Sequence, residues 1–184
     1  SFGENSFMRE LIILKLGGSV LTEKKRRGRI RVSFVHDFSK QFAGIWRKSF
    51  ARQGVGIIFL HGAGSFGHPL VHQYSLLDSS LSRKTIRGFG HVLHSTRTLT
   101  SRLSSSLFEE GVPVVPLQSG LVFEPGRRGE AVFRNGTFQL LSRIIRAGGV
   151  PVLGGDLGVK EDGAIGVLSA DSIAVALAKK FGAA

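Results

Sequence analysis

Residues Gly54 to His68 read "GVGIIFLHGAGSFGH", an apolar, β-branched run that breaks without a spacer into three glycines and two histidines. Val55 to Leu60 has the pattern of a strand buried on both faces, as in parallel sheets. The chain then turns to bare backbone, where glycine lets N–H groups converge with no Cβ in the way. Such a nest beside a helix start holds phosphate oxygens through oriented dipoles. Two more loops share this character, "KLGGS" at Lys15 to Ser19 and "LGGD" at Leu153 to Asp156, each at the end of an apolar run.

The rest of the chain supplies the frame for these loops. "ELIILKLGG" (Glu10 to Gly18) predicts a buried strand ending in a tight turn. Phe34, Phe38, Phe42, Ile45 and Trp46 recur at helical spacing until Gly54, and Leu93, Leu99, Leu103 and Leu107 mark a second helix ended by Gly111. "VPVVPLQ" and "VPVLGGD" read as a third and fourth strand, with a fifth expected at Ile165 to Leu168. Asn135-Gly136 is a turn signal, and Thr137 is expected to cap a helix running through Ala147. Ser169 to Phe181 predicts the last helix, with Ser169 or Asp171 near its start. Strands alternating with helices predict an α/β, three-layer sandwich around a largely parallel sheet. In such a sheet ligands gather where loops leave the carboxyl ends of the strands, which is where all three glycine loops fall.

Composition narrows the partner. A chain of 184 residues, 42% hydrophobic, can bury one ordinary core. Its formal charge of +12 argues for an anion: nucleic acid, a membrane surface or a phosphorylated small molecule. The absence of cysteine excludes disulfides and thiol chemistry. No apolar run approaches the roughly 20 residues that cross a bilayer, and no signal-peptide layout is present, so a soluble, cytoplasmic protein without a membrane partner is expected. Residues 1 to 10 read as an N-terminal extension, and Asn135-Gly136-Thr137 as a turn rather than a glycosylated sequon.

Gly62-Ala63-Gly64-Ser65-Phe66-Gly67 also matches the dinucleotide pattern G-x-G-x-x-G. A nicotinamide or flavin site needs a second strand ending in an acid about 20 residues later. The sequence there is "SRKTIRGFG", with no acid and no strand pattern. No glycine is followed by Lys-Ser or Lys-Thr in the frame of a Walker A loop. Nucleic acid is disfavoured too, because the basic run "EKKRRGRIR" (Glu23 to Arg31) has no readout motif beside it.

"LIILKLGGSVLTEK", "HGAGSFGH", "GVPVVPLQ", "VPVLGGD" and "LSADSIAVALAKKF" stand in the order and spacing of the amino-acid-kinase superfamily, and the resemblance spans Leu11 to Phe181. The "GSFGH" ending resembles the isopentenyl phosphate kinases in particular, with fosfomycin kinases as close relatives. The resemblance implies transfer of the ATP γ-phosphoryl group, with Mg²⁺ accompanying the nucleotide, to a small phosphorylated substrate, isopentenyl phosphate, giving isopentenyl diphosphate. It also allows a homodimer, since relatives pair through helices flanking the sheet. The acceptor is a phosphate oxygen whose second pKa is about 6, so no strong general base is needed. Positioning and charge neutralisation carry such a reaction.

Residue by residue, the resemblance implies that Lys15 reaches the transferring phosphoryl group and that Gly17, Gly18, Ser19 and Gly64 hold the nucleotide phosphates. Gly62, Ala63 and Gly155 would face the acceptor phosphate, with His68 donating a hydrogen bond to it. Lys24 would stabilise the transition state, although a solvated basic loop reads equally well there. Asp171 would orient the lysines or cap its helix, and one carboxylate could do both. Asp156 reads as an acid near the site or as a turn residue. His61, His72, His91 and His94 are given no role. An apolar tail pocket is implied along the helix carrying Phe89, Val92 and Leu93, where sequence does not separate pocket from core. The superfamily continues past the last helix with further nucleotide contacts. The chain, residues 11 to 184, is therefore expected to hold the acceptor half and the first phosphate loop, and to bind phosphate with weak or absent turnover alone.

Overall fold

The computed structural model describes residues 10–23 and 26–183. Strand β1 (Glu10–Leu16) leads through a short turn of helix α1 (Gly18–Leu21) and the basic loop into α2 (Val32–Ile45). A π-helical turn (Trp46–Phe50) and α3 (Ala51–Gln53) continue α2, and β2 (Val55–His61) comes next. Then come α4 (Gly64–Gln73), the long α5 (Ile86–Glu109), β3 (Val114–Leu117) and α6 (Ser119–Val122). The chain goes on through β4 (Phe123–Pro125), β5 (Ala131–Phe133), α7 (Thr137–Arg146) and β6 (Val150–Gly154). It ends with β7 (Asp156–Val159), β8 (Ile165–Leu168) and α8 (Ala170–Phe181).

Four strands form a wholly parallel sheet in the order β1-β2-β6-β3. Side chains alternate across a strand, so each one feeds two cores. Ile57 and Phe59 of β2 pack with Phe42 of α2 and with Leu99, Leu103 and Leu107 of α5. Ile58 and Leu60 face the other way, onto Leu141 and Ile145 of α7 and Ile173 and Leu177 of α8. Those two helical layers around one sheet are the expected three-layer sandwich. The phenylalanine stripe is core: Phe38 and Phe42 stack at 5.9 Å, and both rings lean on Phe59.

Two short hairpins, β4-β5 and β7-β8, lie outside this sheet. The fifth strand expected at Ile165 to Leu168 therefore forms, but it pairs antiparallel with β7. Thr137 is not a cap. Gly136 occupies the cap position of α7, and the Thr137 hydroxyl instead donates to the Val122 carbonyl at 2.6 Å, pinning the helix start to the end of α6.

The β1 and β2 exits cross with no room for side chains. A Cβ on Gly18 would overlap the Gly64 amide, 2.6 Å from its Cα, and one on Gly62 would sit 2.6 Å from the Gly18 nitrogen. Gly64 also has φ +51°, a conformation that disfavours any side chain. We expect Gly18→Ala to cost about 2–3 kcal/mol, as overpacking against immovable backbone does. Gly44→Ala, on α2 with nothing within 4 Å of the new methyl, should be neutral or stabilise by about 0.5–1 kcal/mol. Urea midpoints of the two variants against the parent measure the difference.

Candidate functional site

The three glycine loops are sewn together by backbone. The Gly62 amide donates to the Leu16 carbonyl at 2.9 Å, and the Gly155 amide to the His61 carbonyl at 2.8 Å, carrying the parallel ladder past the strand ends. Thr22, 1% exposed, clamps two loops with one hydroxyl, which donates to the Gly18 carbonyl at 2.8 Å and accepts from the Ser65 amide at 3.1 Å. Pro69 lies inside α4 and has no N–H to give the carbonyl four residues back, at Ser65. That carbonyl accepts from the Gly28 amide at 3.4 Å, which ties the basic loop to α4.

Between these loops, α4, the β7-β8 hairpin and the start of α8 lies a cavity of about 560 Å³. Lys15, Gly17, Gly18, Ser19, Gly62 and Ala63 line it, as do Gly64, His68, Gly155 and Asp171. Every candidate residue among those described therefore faces one space. Lys24 lies outside the described residues. No side chain caps α4 and no acid occupies its first turn, so the positive end of its dipole is left uncompensated at the cavity wall.

Strand parity explains the charged pair. Leu11 and Ile13 of β1 face the α8 layer, so Lys15 does too, and its ammonium meets Asp171 Oδ1 at 2.8 Å. The Lys15 side chain is 33% exposed and that of Asp171 76%, so the pair contributes little to stability. Ser169 takes the capping role, accepting from the Ser172 amide at 3.0 Å, which leaves Asp171 free for Lys15.

Part of the lining is apolar: Val71, Leu77, Val92, Leu157 and Val167 line the cavity, and all of these but Leu77 belong to one apolar cluster. Of the three helix residues expected there, Val92 lines the space, while Phe89 and Leu93 pack into the cluster behind it.

Two buried ionisable groups adjoin the loops: His61, to which sequence reasoning assigned no role, and Asp156, which it left as either an acid near the site or a turn residue. His61, fully buried on the α5 face of β2, has a ring nitrogen 2.9 Å from Thr100 Oγ1, and burial drives its pKa down to about 4. Asp156, 8% exposed, has its Oδ1 2.9 Å from Thr96 Oγ1 and also accepts from the Leu157 and Gly120 amides. Burial outweighs these bonds and the nearby Arg97, raising its pKa to about 6. An acid placed directly after two glycines at a strand end was the available signal.

The sequence profile of the amino acid kinase family matches residues 10–184. The chain belongs to this family. Among curated members, it is 27% identical over 169 residues to the isopentenyl phosphate kinase of Thermoplasma acidophilum, covering 92% of this chain and 62% of that one. It is also 27% identical over 157 residues to that of Methanothermobacter thermautotrophicus, covering 83% of this chain and 55% of that one. This amino acid kinase chain thus spans about three fifths of the length of these curated relatives. The solved T. acidophilum isopentenyl phosphate kinase product complex superposes with a TM-score of 0.76 at 26% identity, covering 94% of this chain and 66% of that one.

The two buried groups make opposite demands on stability. His61 titrates at about 4 when folded against 6.5 when free, so the unfolded chain binds a proton the folded one refuses, and stability falls as pH drops from 6.5 to 4. Asp156 titrates at about 6 against 3.8, so its penalty grows as pH rises through that window and is complete above 6. Each effect is on the order of 3 kcal/mol. Urea unfolding at about pH 4 and pH 7 should show His61→Gln gaining relative stability at the acid end and Asp156→Asn at the neutral end.

Proposed function

We propose that this chain binds isopentenyl phosphate in the glycine-loop cavity and serves its ATP-dependent phosphorylation to isopentenyl diphosphate. The observation that carries the reading is one space with two kinds of lining. Glycine-loop backbone, a lysine and a histidine line it together with aliphatic side chains of a single apolar cluster. A phosphate monoester with a short branched hydrocarbon tail has the same two kinds of surface. The names of the relatives support that acceptor over others. Fosfomycin is the alternative acceptor, and it lacks a tail to meet the apolar lining.

In this reading Gly62, Ala63 and Gly155 hold the acceptor phosphate and His68 donates to it, while Gly17, Gly18, Ser19 and Gly64 hold the nucleotide phosphates. Lys15, aimed by Asp171, neutralises charge on the group in flight, with Lys24 assisting. The acceptor oxygen forms a bond to the γ-phosphorus as the bond to the β,γ-bridging oxygen breaks, and ADP leaves. Mg²⁺ bound with ATP supplies further charge neutralisation. The finer expectations, a homodimer and a cytoplasmic setting, stand beside this reading. Among the described residues no helix is long and apolar enough to cross a membrane.

Calorimetric titration of isopentenyl phosphate without ATP, in low salt, tests the acceptor site independently of turnover. Saturable binding that His68→Ala weakens by about 1.5–3 kcal/mol, the value of a hydrogen bond to a charged group, is the expected result. Folded protein that binds fosfomycin but no isopentenyl phosphate would reassign the acceptor.

A further inference from the structure

Behind the cradle lies a second cavity of about 510 Å³, between α5, β3 and the β6 exit, and it shares Thr96, Gly155 and Asp156 with the first. Its α5 wall carries the hydroxyls of Thr100, Ser101, Ser104 and Ser105. The Ser104 hydroxyl is buried and has no partner among the described residues. At its mouth an Arg97 guanidinium N–H donates to the Gln118 side-chain oxygen.

Asp156 therefore stands in a wall with a phosphate cradle on one side and a hydroxyl-lined space on the other. Its fixed negative charge opposes any phosphate dianion beside Gly155, and a buried carboxylate repels strongly because little water screens it. The surrounding charges offset that conflict only in part, because the Lys15 ammonium is already paired with Asp171. From α5 it faces Arg97, already engaged with Gln118, and on β2 it has His61, which is held neutral. β4 brings Glu124, paired with Arg134 at 3.4 Å, while α6 and β8 carry no ionisable side chain. Lys15, Asp171 and His68 face the same cradle.

We infer that Asp156 is the charge-compensating residue of the acceptor site: a phosphate dianion entering the cradle drives a proton onto this carboxyl, drawn from solvent through the second cavity. One proton leaves the buffer, one O–H bond forms at Asp156, and the negative charge of the site rises by one unit on binding the dianion instead of two. Asp156 already holds its proton more tightly than an ordinary carboxyl, so the incoming charge has only to complete the shift. This rests on the cradle binding phosphate, but not on which phosphate.

Titration of isopentenyl phosphate, and separately of methyl phosphate, at about pH 7.5 in two buffers of different ionisation enthalpy counts the protons, since both ligands are almost wholly dianionic there. Roughly 0.5 to 1 proton should be taken up per ligand by the parent, and close to none by Asp156→Asn. His68→Gln should bind more weakly yet keep the uptake, which excludes the imidazole as the recipient. Equal uptake by Asp156→Asn and the parent, or binding by the parent with no uptake, would overturn the inference. Uptake with methyl phosphate while isopentenyl phosphate fails to bind would sink the substrate assignment and leave Asp156 in its role. If folded protein binds neither, both fall.

Discussion

The site depends on two strands ending so close together that backbone touches backbone. Gly18 and Gly64 meet where any side chain would collide, and Gly62 lies against the Gly18 nitrogen. That approach brings amides from two different strand exits to one wall of the cavity. The Thr22 hydroxyl, bonded to one loop and accepting from the other, holds them at that spacing. Because the contact is main chain to main chain, it leaves no rotamer to adjust, and the cradle exists before any ligand arrives.

Parity does the rest. One alternation along β1 sends Leu14 and Leu16 to the α5 layer and Leu11 and Ile13 to the α8 layer, and the same rule delivers Lys15 to Asp171. On β2 the residues facing α5 end at His61, which becomes a buried neutral imidazole against Thr100 rather than a ligand-facing one. Two histidines seven residues apart in one motif thus have unrelated fates. His61 sits inside a strand, while His68 stands exposed on the cavity side of α4.

Much of this was legible in the sequence because buried parallel strands are long apolar runs stopped by glycine, and that punctuation does not depend on tertiary context. The four sheet strands, the phenylalanine stripe of α2 and the loops at the carboxyl edge follow from it. The short hairpins were less readable: strands of three or four residues such as Phe123–Pro125 carry too few alternations to register. Thr137 misled because Gly136 could hold the cap position without a side chain, leaving the hydroxyl for Val122. The weight of Asp156 was hidden since burial is set by α5 and α6, far away in sequence, and not by its neighbours.

Pro69 gives the basic loop a fixed radius. The carbonyl left vacant in α4 is claimed by Gly28, one bond in the middle of an arginine-rich turn, and Arg27 adds a second anchor through Gln73 at 2.8 Å. A chain extends by at most about 3.6 Å per residue, so the Cα of Arg26, two positions from the tether, stays within roughly 7 Å of it. The arginines near Gly28 are therefore leashed, free to turn but not to leave the side of α4. A missing hydrogen in one helix thereby fixes where the positive charge of another segment is spent.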